Sequence, residues 1–77
     1  MIIKILGSGC SKCRKLAQNA AKAAEEAGID YQLVKVTDMN KITGYGVPMT
    51  PALVIDEVVK SVGEVLSVDK IKMMMQV

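Results

Sequence analysis

Ile2-Ile3-Lys4-Ile5-Leu6-Gly7-Ser8-Gly9-Cys10-Ser11-Lys12-Cys13 is the stretch from which the rest of the chain can be read. Ile2 to Leu6 is an apolar run broken only by Lys4, and Gly7-Ser8-Gly9 ends it, which is the pattern of a strand entering a tight turn. From Cys10 to Ala27 the spacing changes. Cys13, Leu16, Ala20, Ala23/Ala24 and Ala27 recur at helical intervals, while Lys15, Gln18, Lys22 and Glu26 fall on other faces. The only two cysteines of the chain therefore stand where a strand hands over to a helix. At a helix N-terminus the unpaired backbone N–H groups and the helix dipole favour a thiolate over a thiol.

The pattern continues in short units. Gly28 is a natural stop for the alanine-rich helix, and the alanines favour helix and permit close packing on a sheet. Tyr31 to Val36 reads as a second strand. Thr37 and Asp38 are candidate caps for a short helix with Met39, Ile42 and Tyr45 on one side, broken at Gly44 and Gly46. Val47-Pro48-Met49-Thr50-Pro51 is an extended loop, and Ala52 to Ile55 is an unbroken apolar strand suited to the centre of a sheet. Asp56-Glu57 is a turn without the glycine that two-residue hairpins favour, and Val58 to Val62 returns as a strand. Ser67 caps a last helix, with Asp69 in its first turn and Val68, Ile71 and Met74/Met75 facing inward. The order is β-α-β-α-β-β-α. Its first crossover makes strands one and two parallel, and its last two strands form an antiparallel hairpin. The expected fold class is α/β, one mixed four-stranded sheet flanked by helices.

Composition narrows the field. The 77 residues make a single domain, 1–77, with a thin core. The apolar fraction is 51%, with no tryptophan or phenylalanine, so that core must be aliphatic. No stretch approaches the roughly 18 apolar residues of a membrane span, and Met-Ile-Ile-Lys has neither a secretory n-region nor a cleavage site. A cytoplasmic protein with no membrane association is expected. Two cysteines in that compartment point to redox or metal chemistry rather than to a structural staple. The net charge is +2, yet the first 24 residues carry Lys4, Lys12, Arg14, Lys15 and Lys22 with no acid. Lys12, Arg14 and Lys15 surround the cysteines, where a positive field lowers thiol pKa values and attracts acidic partners. Nucleic acid is not expected as a partner, since the overall charge is small and aromatic stacking platforms are missing.

Cys10 is the expected nucleophile and Cys13, one helical turn on and less exposed, the expected resolving thiol. Thr50-Pro51, just before a central strand, is a candidate cis-proline bond. Met49 reads as part of an apolar docking surface, Met73 to Met75 as core filling with a frayed end, and Tyr45 as packing with a hydroxyl within possible reach of the active-site loop.

Gly9-Cys10-Ser11-Lys12-Cys13, followed by Val47-Pro48-Met49-Thr50-Pro51-Ala52-Leu53-Val54-Ile55-Asp56, resembles the small thioredoxin-like redox-active disulfide proteins of archaea and bacteria, and the resemblance spans nearly the whole chain. It implies a minimal, glutaredoxin-sized thioredoxin fold and a cis Thr50-Pro51 bond facing the dithiol. It implies that Thr50 pairs through its backbone with an extended substrate segment, with Gly9 and Met49 beside it and Ser11 and Lys12 supporting the cysteines. It further implies that Pro51 keeps metals from capturing the dithiol. The implied activity is a protein disulfide reductase with no cofactor beyond the Cys10–Cys13 redox pair. Its partners would be protein disulfides and a thioredoxin-reductase-like or small-thiol electron donor, and it would act as a monomer. The chain departs from the larger families in several places. Ser-Lys stands between the cysteines, no tryptophan precedes Cys10, no early carboxylate is available as a proton acceptor, and Gly63-Glu64-Val65-Leu66-Ser67 lacks the double glycine of a glutathione site.

Two other readings compete. A soft-metal chaperone would use the two thiolates for Cu(I) and draw on the six methionines. Such domains run βαββαβ and carry methionine at the position of Ser8. A tetrahedral zinc site would need more ligands than one such chain supplies. A redox-sensing interaction module would use the same dithiol without turnover.

Overall fold

The computed structural model of the protein describes residues 1–7, 9 and 11–75. Seven elements follow in the expected order: β1 (Ile2–Leu6), α1 (Ser11–Glu26), β2 (Gln32–Val36), α2 (Met39–Gly44), β3 (Ala52–Ile55), β4 (Val58–Val62) and α3 (Val68–Met75). The sheet order is β2-β1-β3-β4. β1 runs parallel to β2 with Ile3 opposite Leu33, and antiparallel to β3 with Ile3 opposite Ile55. β4 closes the hairpin, with a register irregularity between Leu53 and Val54.

The ends of the helices follow from local chemistry. At the end of α1, Gly28 takes a φ of 69°, its N–H donates to the Glu25 carbonyl at 3.1 Å, and the Ile29 N–H donates to the Ala24 carbonyl at 3.0 Å. This pair of bonds is the Schellman closure, and a left-handed residue is what permits it. Asp38 caps α2 by accepting from the Asn40 N–H at 2.9 Å. Ser67 caps α3 through a 3.2 Å bond from the Lys70 N–H to its hydroxyl.

Strand alternation sorts the apolar residues into two layers. Ile3, Ile5, Leu53 and Ile55 meet α1 and α3 in a cluster of twelve buried residues. Leu6, Ala52 and Val54 meet Val36 and Ile42 of α2 in a cluster of five. A fully buried leucine or isoleucine contributes roughly 1.5–3 kcal/mol, so the α1/α3 side carries most of the hydrophobic stabilisation. The small α2 layer leaves room for Lys4 within the central strand β1. Two expectations need correction here. Met39, expected on one side of α2 with Ile42, is 65% exposed while Ile42 is buried, because a six-residue helix resting on Ile42 has only one turn to bury. Tyr31 precedes β2 instead of opening it, and its hydroxyl donates to Glu25 at 2.9 Å.

Candidate active site

Cys10, the expected nucleophile, lies outside the described residues, as does Ser8. The site is therefore built from the residues around it. α1 begins at Ser11, immediately after Cys10 in sequence. Ser11 and Lys12 are exposed, and Cys13 turns inward and is only 4% exposed. Cys13 begins the apolar face of α1, ahead of Leu16, Ala17 and Ala20. Its burial thus follows from the same helical spacing that seats the helix on the sheet.

The seat of the Cys13 sulfur is the end of β1. Gly7 is buried, and its N–H continues the sheet by donating to the Val36 carbonyl at 3.0 Å. A methyl group on Gly7 would overlap Cys13 Sγ and would stand 3.7 Å from Thr50 Cβ. Gly7, Cys13 and Thr50 therefore meet at one point, although Thr50 is far from the other two in sequence. The Thr50-Pro51 peptide bond is cis. Pro51 is buried, Thr50 is exposed, and the Pro51 carbonyl accepts from the Gly63 N–H at 2.7 Å. Met49 is 58% exposed and lies against Gly63. Gly9 is exposed, with a φ of 84° and open space around its α-carbon.

A cavity of about 30 Å³ adjoins the sulfur, bounded in part by Gly7, Gly9, Arg14, Lys35 and Thr37. That is the scale of a water molecule. Among the described residues no Asp or Glu is buried, so no buried carboxylate sits beneath Cys13. Nor, among the described residues, do three His, Cys, Asp or Glu side chains converge as a metal set would require.

The geometry brings Cys13, Thr50 and Pro51 together and leaves Ser11, Lys12, Gly9 and Met49 on the accessible surface. It places Tyr45 elsewhere. The Tyr45 hydroxyl accepts from Lys4 Nζ at 2.8 Å and donates to Glu57 Oε2 at 3.1 Å, away from the active-site loop. Lys4 Nζ also pairs with Glu57. These bonds hold the Glu57 carboxyl below the ordinary glutamate range and raise Lys4, the hydrogen bond between the two being the main cause in both. Gly7 is the site residue that sequence reading passes over. Its only signal there is its position at the end of a strand three residues before Cys10.

The described residues place a buried cysteine in the first turn of α1, packed on the end of β1 near the cis Thr50-Pro51 bond, in a frame consistent with a minimal thioredoxin fold. A family model described as a thioredoxin domain matches residues 1–76. The chain is 44% identical over 72 residues to a thioredoxin of Methanocaldococcus jannaschii, a match covering 94% of this chain and 83% of that protein. It is 39% identical over 72 residues to a thioredoxin of Methanothermobacter thermautotrophicus, covering 94% of each. The chain belongs to the thioredoxin family, and it is a thioredoxin-like oxidoreductase. Among the described residues no helix is long and apolar enough to cross a membrane.

Proposed function

We propose that Cys10 and Cys13 form a reversible redox pair that reduces protein disulfides in the cytoplasm. The observation that carries this reading is the buried Cys13 sulfur packed against Gly7 near Thr50, three residues after Cys10 in sequence. The Cys10 thiolate attacks one sulfur of a substrate disulfide, forms a mixed disulfide and expels the other sulfur as a thiolate. Cys13 then loses its proton and attacks Cys10 Sγ. The second substrate thiolate leaves, and both electrons of the reduction have come from the pair. The cavity that Cys13 lines has room for one water molecule, and in this scheme such a water takes the Cys13 proton.

The substrate lies as an extended segment along the backbone of Thr50, beside Pro51, Gly9 and the apolar surface of Met49, an arrangement that edge-strand recognition favours. Ser11 and Lys12 support the thiolate of Cys10, and the surrounding cations favour acidic partners. A thioredoxin-reductase-like protein or a small thiol restores the dithiol. The monomer suffices, and no further cofactor takes part.

The test is to replace each cysteine in turn. Cys10→Ser abolishes disulfide reduction. Cys13→Ser still attacks but cannot resolve, and it accumulates mixed disulfides that a reductant releases. Equilibration of the wild-type chain in a dithiothreitol redox buffer gives a single two-electron transition between about −300 and −120 mV. Activity in Cys10→Ser, or no covalent adducts with Cys13→Ser, would overturn the scheme.

A further inference from the structure

Gly7 and Gly9 flank the same turn and look alike in sequence, yet their surroundings differ in kind. Gly9 has a left-handed φ of 84° and nothing within 4 Å of where a β-carbon would stand. Its requirement is conformational, because an L side chain is strained in that region of backbone space. Gly7 is the reverse. Its φ lies outside the left-handed range, so that strain does not apply, but the place of its β-carbon is occupied by Cys13 Sγ. Cys13 Cβ would lie 3.4 Å away and Thr50 Cβ 3.7 Å away, both close to ordinary contact. The sulfur alone is incompatible with a side chain at position 7.

We infer that Gly7 is a positioning residue for the second half of the reaction: its missing side chain is the socket that fixes Cys13 Sγ. This rests on the proposed role of Cys13 as the resolving thiol. The socket is rigid for two reasons. Gly7 is tied into the sheet by its N–H bond to Val36, and β1 is flanked on both sides by other strands. A β-carbon added there cannot retreat with the backbone, so the sulfur must move instead. The resolving step is a displacement in which Cys13 S⁻ forms a bond to Cys10 Sγ while the bond from Cys10 Sγ to the substrate sulfur breaks. Such a step needs the attacking atom placed accurately, and a misplacement of about 1 Å can cost on the order of a hundred-fold in rate. The first step uses Cys10 alone and does not pass through the socket.

The experiment is Gly7→Ala, studied with a small aromatic disulfide whose two thiolates are released in successive phases, the first by Cys10 and the second by Cys13. The expected result is a first phase within about two-fold of wild type and a second phase slowed about ten- to a hundred-fold. Thermal unfolding of the reduced proteins supplies a readout that does not depend on chemistry. Gly7→Ala lowers Tm in the parent chain, and the loss largely disappears when Cys13→Ala removes the sulfur. Gly9→Ala, the control, lowers Tm equally with and without the Cys13 sulfur. If Gly7→Ala fails to fold but the Gly7→Ala, Cys13→Ala pair folds, the socket is supported directly. An unchanged second phase, or a Tm loss that persists undiminished in the Cys13→Ala background, would overturn the role of Gly7. A wild-type chain that releases only one thiolate would overturn the proposed function, and this role with it.

Discussion

The two ends of β1 are held by different forces. At its carboxyl end, Gly7, Cys13 and Thr50 meet through close packing, and Gly7 and Pro51 are tied by backbone hydrogen bonds to Val36 and Gly63. At its amino end, polar side chains do the fastening. Ile2 N–H donates to Asp56 Oδ1 at 2.8 Å, and Asp56 N–H returns a bond to the Ile2 carbonyl at 2.8 Å. Lys4 joins Tyr45 and Glu57 two positions further along. The chemical end is thus specified by shape, and the opposite end by charge and hydrogen bonding. The division suits a thiol exchanger, because a strong fixed ion pair beside the sulfurs would tie their behaviour to one ionic condition, whereas a glycine socket carries no charge.

The layer shared by both ends should be the most costly to disturb. Leu53 is fully buried in the central strand β3, and Leu53→Ala should remove about 2–5 kcal/mol, the sum of lost transfer energy and a cavity. Chemical denaturation measures it, and the expected result is one cooperative transition at lower denaturant. Two separate transitions would show that the ends are less coupled than the common core implies.

The next change should separate the ends. Asp56→Ala deletes the bond to Ile2 N–H and puts alanine at a φ of 48°. The lost bond costs about 1 kcal/mol, and the left-handed backbone adds roughly 1 kcal/mol more for a residue without a local polar contact. Stability should fall while the rates of both thiolate-release phases stay at wild-type values. Slowed exchange in this variant would mean that the amino end of β1 helps to set the dithiol geometry.

The smallest effect should be one of pH. Glu57 is lowered by its partners, so its share of stability is present above its unfolded pKa and is lost as pH falls through the lower folded value. Lys4 is raised, so its share is present below its unfolded pKa and is lost as pH rises through the higher folded value. The Tm difference between wild type and Lys4→Met should therefore be greatest near neutrality and shrink toward both extremes. Glu57 is exposed and Lys4 only half-buried, which keeps the effect small, and moderate salt should reduce it further. A difference that is flat with pH would show that Lys4 contributes through its hydrocarbon stem alone.

Much of this arrangement was legible in the sequence because its signals are local. Asp38, Ser67 and Gly28 mark helix ends by chemistry that acts within a few residues, and all three act as expected. The two motifs pointed to the thioredoxin family, and the order of elements around Thr50-Pro51 pointed to its cis bond. What stayed hidden depends on distant partners. Lys4 looked like an interruption of an apolar run, since Tyr45 and Glu57 lie 41 and 53 residues away. Asp56 and Glu57 made a weak hairpin signal, with φ values of 48° and 68° that glycine would adopt more easily. Their side-chain bonds to β1 offset that cost, and no turn preference records them. Gly7 was indistinguishable from Gly9, because an approach by a sulfur six residues away leaves no mark on composition.

The alanine face of α1 has one further consequence. Four of its six buried residues, Ala17, Ala20, Ala23 and Ala24, have no side-chain rotamers to lose on burial. The helix that carries Cys13 therefore docks with little loss of side-chain freedom, an advantage in a chain of 77 residues. The same economy makes the interface intolerant of growth, since any larger residue on that face must lift the helix from the sheet. Room for variation in this helix lies on its outer face, where a label or a new recognition surface could be installed while the Cys13 sulfur stays in place.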